Sequence, residues 1–213
     1  MLGVEMTSCL ATLRRALAAS FFCTTDIWSV PPLPAKHTID FDLFLEEGPV
    51  PTVESPINIG DHIPASTLKN QDGAERSLPL DKPTVLVFFR GQWCPFCRWE
   101  LTGLQTINRG VGELGGEIIA ISPDTEAESQ DLKQRLGLTF AILSDPDLSV
   151  TDAYGLRHVS GRAATGQDMP FPTTFVVDAD GIVRAKIENE TYRDRPSPKD
   201  VMAALKEAVS APV

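Results

Sequence analysis

The chain of 213 residues carries 29 acidic against 19 basic side chains, a formal net charge of -10, which argues against nucleic acid or an anionic membrane surface as its principal partner. Its hydrophobic content of 42% and charged content of 23% are those of a soluble globular chain, and no apolar run reaches the roughly 18 residues of a membrane span. Its four cysteines are too few for a disulfide scaffold and fit a reducing compartment, with the cytosol as the default.

In residues 7–22, Leu10, Leu13, Leu17 and Phe21 recur at helical spacing, which predicts an amphipathic helix. Arg14 and Arg15 with the local Ser/Thr content admit organellar targeting; a docking helix or a loose tail is the alternative. Pro31, Pro32, Pro34, Pro49, Pro51 and Pro56 then mark a linker or a surface-wrapped segment. The expected organisation is an N-terminal extension over residues 1–56 and one domain over 57–213.

Residues 58–64 and 67–73 read as two short strands or turns, with Asp72-Gly73 as a turn. Val85, Leu86, Val87, Phe88 and Phe89 form a continuous apolar run of strand-forming types, the pattern of a strand buried on both faces, and Gly91 breaks it. Pro95 suits a first helical position, and Glu100, Leu101, Leu104 and Ile107 continue a helix. Strands are then predicted over 117–122 and 140–143, with a helix over 125–136 between them. A short helix over 148–154 and a polar, Gly-containing loop over 157–169 follow. Residues 173–177 and 182–187 form a hairpin around Asp178-Ala-Asp-Gly181, and residues 198–209 form the closing helix. Alternating strand and helix require a sheet with a parallel part.

Cys94 and Cys97 occupy the one position where this pattern makes a thiol a reagent. Cys94 falls at the N-terminus of a helix, where unpaired backbone N–H groups and the helix dipole favour the thiolate. Cys97 lies one turn on, placed to resolve a mixed disulfide or a sulfenic acid by closing a Cys94–Cys97 bridge. Half of a zinc site is the competing reading of two such cysteines, but Cys9 and Cys23 lack the spacing to complete one, so neither metal nor cofactor is expected. Asp145/Asp147 and Asp178/Asp180 read as turn chemistry. Of the tryptophans beside the cysteines, Trp93 and Trp99, one shapes a substrate surface, and Trp99 is the better candidate for core.

Phe88-Phe-Arg-Gly-Gln-Trp-Cys-Pro-Phe-Cys97 and Phe171-Pro-Thr-Thr-Phe-Val-Val-Asp-Ala-Asp-Gly181, in this order of elements, resemble the peroxiredoxin-like branch of the alkyl hydroperoxide reductase and thiol-specific antioxidant (AhpC/TSA) family. The resemblance spans residues 57–209. It implies an α/β thioredoxin-like fold, a central mixed sheet flanked by helices, and a Pro172 whose peptide bond is cis and faces the cysteines. Aligned with true peroxiredoxins, Cys97 falls on the attacking cysteine. Arg90 and Cys94 stand where a proline and a threonine are usual, and Pro172 stands where the arginine of the peroxide pocket would be, leaving Arg90, Arg98 or Arg184 to substitute.

Aligned instead with thioredoxins, every position is filled: Trp93 precedes the nucleophile Cys94, Cys97 resolves, and Pro172 lies opposite. The resemblance thus favours a thiol–disulfide oxidoreductase with Cys94 and Cys97 catalytic and Trp93, Pro95, Pro172, Thr173 and Arg90 in support. Peroxide reduction through the same cysteines is the alternative, and a thioredoxin-fold binding or redox-sensing module is the reading of another class. The implied partners are a disulfide or hydroperoxide substrate and a thiol reductant such as a thioredoxin or glutathione system, with a homodimer admitted.

Overall fold

A computed structural model describes residues 55–188 and 191–210 of the chain. The expectations for residues 1–54, including the N-terminal helix, the Pro-rich segment, Cys9 and Cys23, lie outside the described residues.

The centre of the fold is the strand β3 (Thr84–Phe88), buried at every position. It pairs in parallel with β4 (Glu117–Ser122), which pairs in parallel with β5 (Ala141–Ser144). On its other side β3 runs antiparallel to β8 (Thr173–Val177), followed by β9 (Val183–Glu188). The hairpin of β1 (Ser66–Asn70) and β2 (Glu75–Leu78) joins through β1 to β5, giving a seven-stranded mixed sheet in the order β2-β1-β5-β4-β3-β8-β9. The predicted Asp72-Gly73 turn connects β1 and β2, whereas residues 58–64 contribute only an isolated bridge between His62 and Ile182.

Alternation along β3 divides the core. Val85, Val87 and Phe89 face a cluster with Leu101, Leu104, Val201 and Leu205, contributed by α1 (Pro95–Glu113) and α4 (Pro198–Ser210), and with Leu132 of α2 (Glu126–Leu136). Leu86 and Phe88 face the opposite cluster with Phe175 and, just after α3 (Ser149–Ala153), Tyr154. Burying both faces is what demands the continuous apolar run, since neither side of the pleat meets water. Phe88 lies 4.7 Å from Tyr154 and 6.1 Å from Phe175, ring centre to ring centre.

Local signals set the helix ends. In α2, Thr125 and Glu128 form a reciprocal capping box, and Gly137 in the left-handed region closes the C-terminus. Asp145 accepts the N–H groups of Val150 and Thr151, and Asp178 those of Asp180 and Ile182, so both acids do turn chemistry.

One expected loop is not a loop. Residues 157–169 contain two strands, β6 (Arg157–Arg162) and β7 (Gln167–Pro170), paired as a separate ribbon with a register shift between His158 and Arg162. The pairing is carried by backbone bonds and by polar pairs such as Arg157–Asp168 at 2.9 Å, so no apolar alternation announces it. Truncating Phe88 to Ala is expected to lower the unfolding free energy by about 3–5 kcal/mol in urea denaturation; a loss below about 1 kcal/mol would contradict its place in the core.

Candidate active site

β3 delivers the chain to the sheet edge, and a tight turn carries it into α1. Gly91 has a φ of 131°, and a Cβ there would lie 2.9 Å from Asp124 Oδ1 and 3.0 Å from Trp93 Nε1, so only glycine fits. The turn is tied down by the Cys94 N–H donating to Gly91 O at 3.1 Å and the Gln92 N–H donating to Asp124 Oδ2 at 2.7 Å. Burial pushes the Asp124 carboxyl up to about 6 against the pull of that N–H.

Cys94 is the N-cap of α1 and Pro95 opens the helix. In place of the usual hydroxyl or carboxylate, the Cys94 sulfur accepts the Cys97 N–H at 3.4 Å. Both cysteines are buried and reduced. The Cys97 thiol, as a donor to Cys94 Sγ, is the largest influence bringing the Cys94 thiol down to about 6; burial opposes it, and the Cys97 N–H and the charges of Arg195 and Arg90 assist. Cys97 moves well above the usual thiol range, first through burial and then because its proton is held by Cys94. The pair shares one proton, and its stable ionised form carries the charge on Cys94.

Beneath the pair lies an arginine the sequence did not single out. Arg195, in the stretch between β9 and α4, places Nη2 3.4 Å from Cys97 Sγ although the two residues are 98 apart in sequence. Its Nε forms an ion pair with Glu100 Oε2 at 2.7 Å, and both side chains are almost wholly buried. Burial raises the Glu100 carboxyl to about 7, with Arg195 pulling it back. Glu100 sits one turn beyond Cys97 on the buried face of α1. Its spacing in Cys-x-x-Cys-x-x-Glu was a readable signal; nothing local in the sequence pointed to Arg195.

The other expected residues fall in different places. Arg90 is buried, donates to Gly161 O and, through Nε, to Met169 Sδ at 3.1 Å, and stacks 4.0 Å above the Tyr192 ring and 5.2 Å from that of Trp93. It clamps the β6–β7 ribbon to the cysteine turn. Arg184 is held by Asp178 at 2.6 Å and Arg98 lines an open cleft, so the guanidinium at the thiols belongs to Arg195, not to any of the three candidates.

Of the two tryptophans, Trp99 departs from expectation: it is not core. Trp93 packs against the cluster that holds the cysteines, and Trp99 is 65% exposed, because α1 turns Cys97, Glu100, Leu101 and Leu104 inward and position 99 outward. Thr173 pairs opposite Phe88, which puts Pro172 at the same sheet edge as the cysteine turn. The Thr173 hydroxyl donates to Phe171 O at 3.3 Å. The cis bond implied for Pro172 is not present: among the described residues the cis peptide is Leu78–Pro79. Phe171, its N–H bound to Leu156 O at 2.7 Å, leads through a trans bond into β8.

A buried dithiol at a helix N-terminus, beside a buried guanidinium and on a thioredoxin-like sheet, defines a thiol-dependent oxidoreductase. Residues 59–186 match the profile of the AhpC/TSA family, and the chain belongs to that family. It is 29% identical over 131 residues to a putative peroxiredoxin bcp of Coxiella burnetii, covering 61% of this chain and 87% of that protein. It is also 33% identical over 103 residues to the thiol-disulfide oxidoreductase ResA of Halalkalibacterium halodurans, covering 48% of this chain and 52% of that one. Among solved structures, peroxidoxin BcpB from Mycobacterium tuberculosis superposes with a TM-score of 0.61 at 25% identity, over 70% of this chain and 97% of that one.

Two outcomes follow for the thiols. Alkylation by iodoacetamide should rise with pH through a midpoint near 6 as Cys94 ionises, then stay level to pH 8, with the label on Cys94 by peptide mapping. Arg195→Met, which removes a positive charge that favours the thiolate, should move that midpoint upward; an unchanged or lower midpoint would contradict the electrostatic account.

Proposed function

We propose that the protein is a thiol peroxidase in which Cys94 attacks a hydroperoxide and Cys97 resolves the product, within the domain of residues 57–213. The observation that carries this reading is the Cys94 sulfur at the N-cap of α1, charged at neutral pH while the adjacent Cys97 keeps its proton. The likeness to a putative peroxiredoxin supports peroxide over disulfide as the oxidant, which puts second the disulfide reductase that the thioredoxin alignment favours.

The chemistry closes in three steps. The Cys94 thiolate attacks the terminal peroxide oxygen, the O–O bond breaks, and the alkoxide leaves and takes a proton, forming a sulfenic acid on Cys94. Cys97 loses its proton and attacks Cys94 Sγ, expelling water and closing the disulfide. Two equivalents of an external thiol return both cysteines to the reduced state and leave as a disulfide. Arg195 is placed to stabilise negative charge on Cys97 as it gives up its proton, and the helix-end N–H groups to stabilise charge on Cys94. Trp93, Pro95, Arg90, Pro172 and Thr173 serve by shape and support rather than by chemistry. The small number of cysteines suits a reducing compartment, and among the described residues no helix is long and apolar enough to cross a membrane.

The second reading keeps a specific basis, because the Trp-Cys-Pro-Phe-Cys sequence and the similarity to ResA both fit dithiol–disulfide exchange. Turnover of tert-butyl hydroperoxide and of a protein disulfide, each with dithiothreitol as reductant, separates the two. Peroxide turnover should be the faster in the wild type, and Cys94→Ser should lower it by about 100-fold or more. Faster protein-disulfide turnover would reverse the order of the readings, and full peroxide activity in Cys94→Ser would sink both.

A further inference from the structure

The turn that carries Cys94 is held from outside by an acid just past the neighbouring strand. β3 and β4 pair as far as Phe88 and Ile121, and the Phe89 N–H still donates to Ile121 O at 3.0 Å. Gly91 then takes the chain away from the ladder. Ser122 O, at the end of β4, is occupied by the Asp145 N–H at 2.8 Å. The acceptor that meets the departing chain is a side chain instead: Asp124 Oδ2 takes the Gln92 N–H at 2.7 Å, and Oδ1 lies where a Cβ on Gly91 would meet it at 2.9 Å.

Asp124 is itself fixed. The Ser122 hydroxyl donates to the same Oδ2 at 3.0 Å, and both residues are buried. Burial opposes the negative charge and Glu128 adds to that opposition, whereas the Gln92 N–H, the Ser122 hydroxyl and Arg162 favour it. A part-buried N–H stripped of its acceptor is costly, so removing the carboxylate forces the turn to move.

The position of the turn matters to the sulfur. The Cys97 N–H reaches Cys94 Sγ across 3.4 Å, and the Cys94 N–H closes the turn on Gly91 O at 3.1 Å. The charged and titratable groups that favour the Cys94 thiolate come from three places: Cys97 on α1, Arg195 before α4, and Arg90 at the end of β3. Where the turn sits decides how Sγ meets all of them.

We propose, on the premise that the Cys94 thiolate is the attacking group, that Asp124 is a positioning residue for it: through the Gln92 N–H the carboxylate holds the turn so that Cys94 Sγ stays against the donors at the start of α1. It acts through the backbone of residues 91–94, and its negative charge is incidental. Geometry and charge therefore pull in opposite directions when Asp124 is removed. Loss of position takes donors from the thiolate and raises the Cys94 pKa, whereas loss of a nearby negative charge alone lowers it.

The test follows alkylation of the full-length, reduced protein by iodoacetamide against pH, with peptide mapping of the label and circular dichroism to confirm folding at each pH. In Asp124→Ala the Cys94 midpoint should rise by about half a pH unit or more above the wild type. Asp124→Asn, which keeps an oxygen for the Gln92 N–H and lacks the charge, should restore the midpoint to the wild-type value or below. Where Asp124→Ala does not fold, Ser122→Ala, which deletes only the hydroxyl that orients the carboxylate, decides by the same sign with a smaller upward shift. A folded Asp124→Ala with an unchanged or lower midpoint, Asp124→Asn rising as far as Asp124→Ala, or no rise in Ser122→Ala where that variant decides would overturn the positioning role and leave the Cys94 thiolate standing. Label on Cys97 first in the wild type would overturn the premise, and the positioning role with it.

Discussion

Negative charge held on Cys94 Sγ is the constraint around which the rest of the structure is arranged. A thiolate in a nearly dry site is stable only if donors surround it, and here the first of these is the neighbouring thiol, followed by the N–H of the same residue. Cys97 can play donor only while it keeps its own proton, and burial ensures that it does. The difference between the two sulfurs therefore comes from their places on one helical turn: one caps the helix and the other is packed inside it.

The fold turns that local geometry into a fixed site. β3, buried on both faces, cannot shift register without moving Leu86 and Phe88 out of one core and Val85 and Val87 out of the other. Its end sets the position of the turn, Gly91 lets the turn approach Asp124 and Trp93 closely, and Pro95 starts the helix at a defined point. Arg195 then crosses from the far end of the chain to the Cys97 sulfur, anchored by Glu100.

What could be read from the sequence was what local periodicity encodes. The doubly buried strand, the proline-started helix, the capped α2, the Asp178 turn and the closing helix all have short-range signatures, and each appears where those signatures put it. The placement of the cysteines at a helix end was legible because the strand and the proline announce that end. The β6–β7 ribbon was not, since it is held by polar pairs and backbone bonds rather than by an apolar alternation. Arg195 and the exposure of Trp99 depend on three-dimensional packing: one on an encounter across 98 residues, the other on which face of α1 meets the sheet.

Trapping the first oxidised sulfur tests the central claim most directly. Cys97→Ser and Cys94→Ser proteins would be mixed at pH 7 with less than one equivalent of hydrogen peroxide in the presence of dimedone, and sulfenic acid formation followed by mass spectrometry. The serine hydroxyl keeps a donor beside Cys94 in the first variant and burial still holds the Cys97 proton in the second, so adduct should form faster on Cys94 than on Cys97. Faster oxidation of Cys97 would contradict the account and give the attacking role to the sulfur beside Arg195.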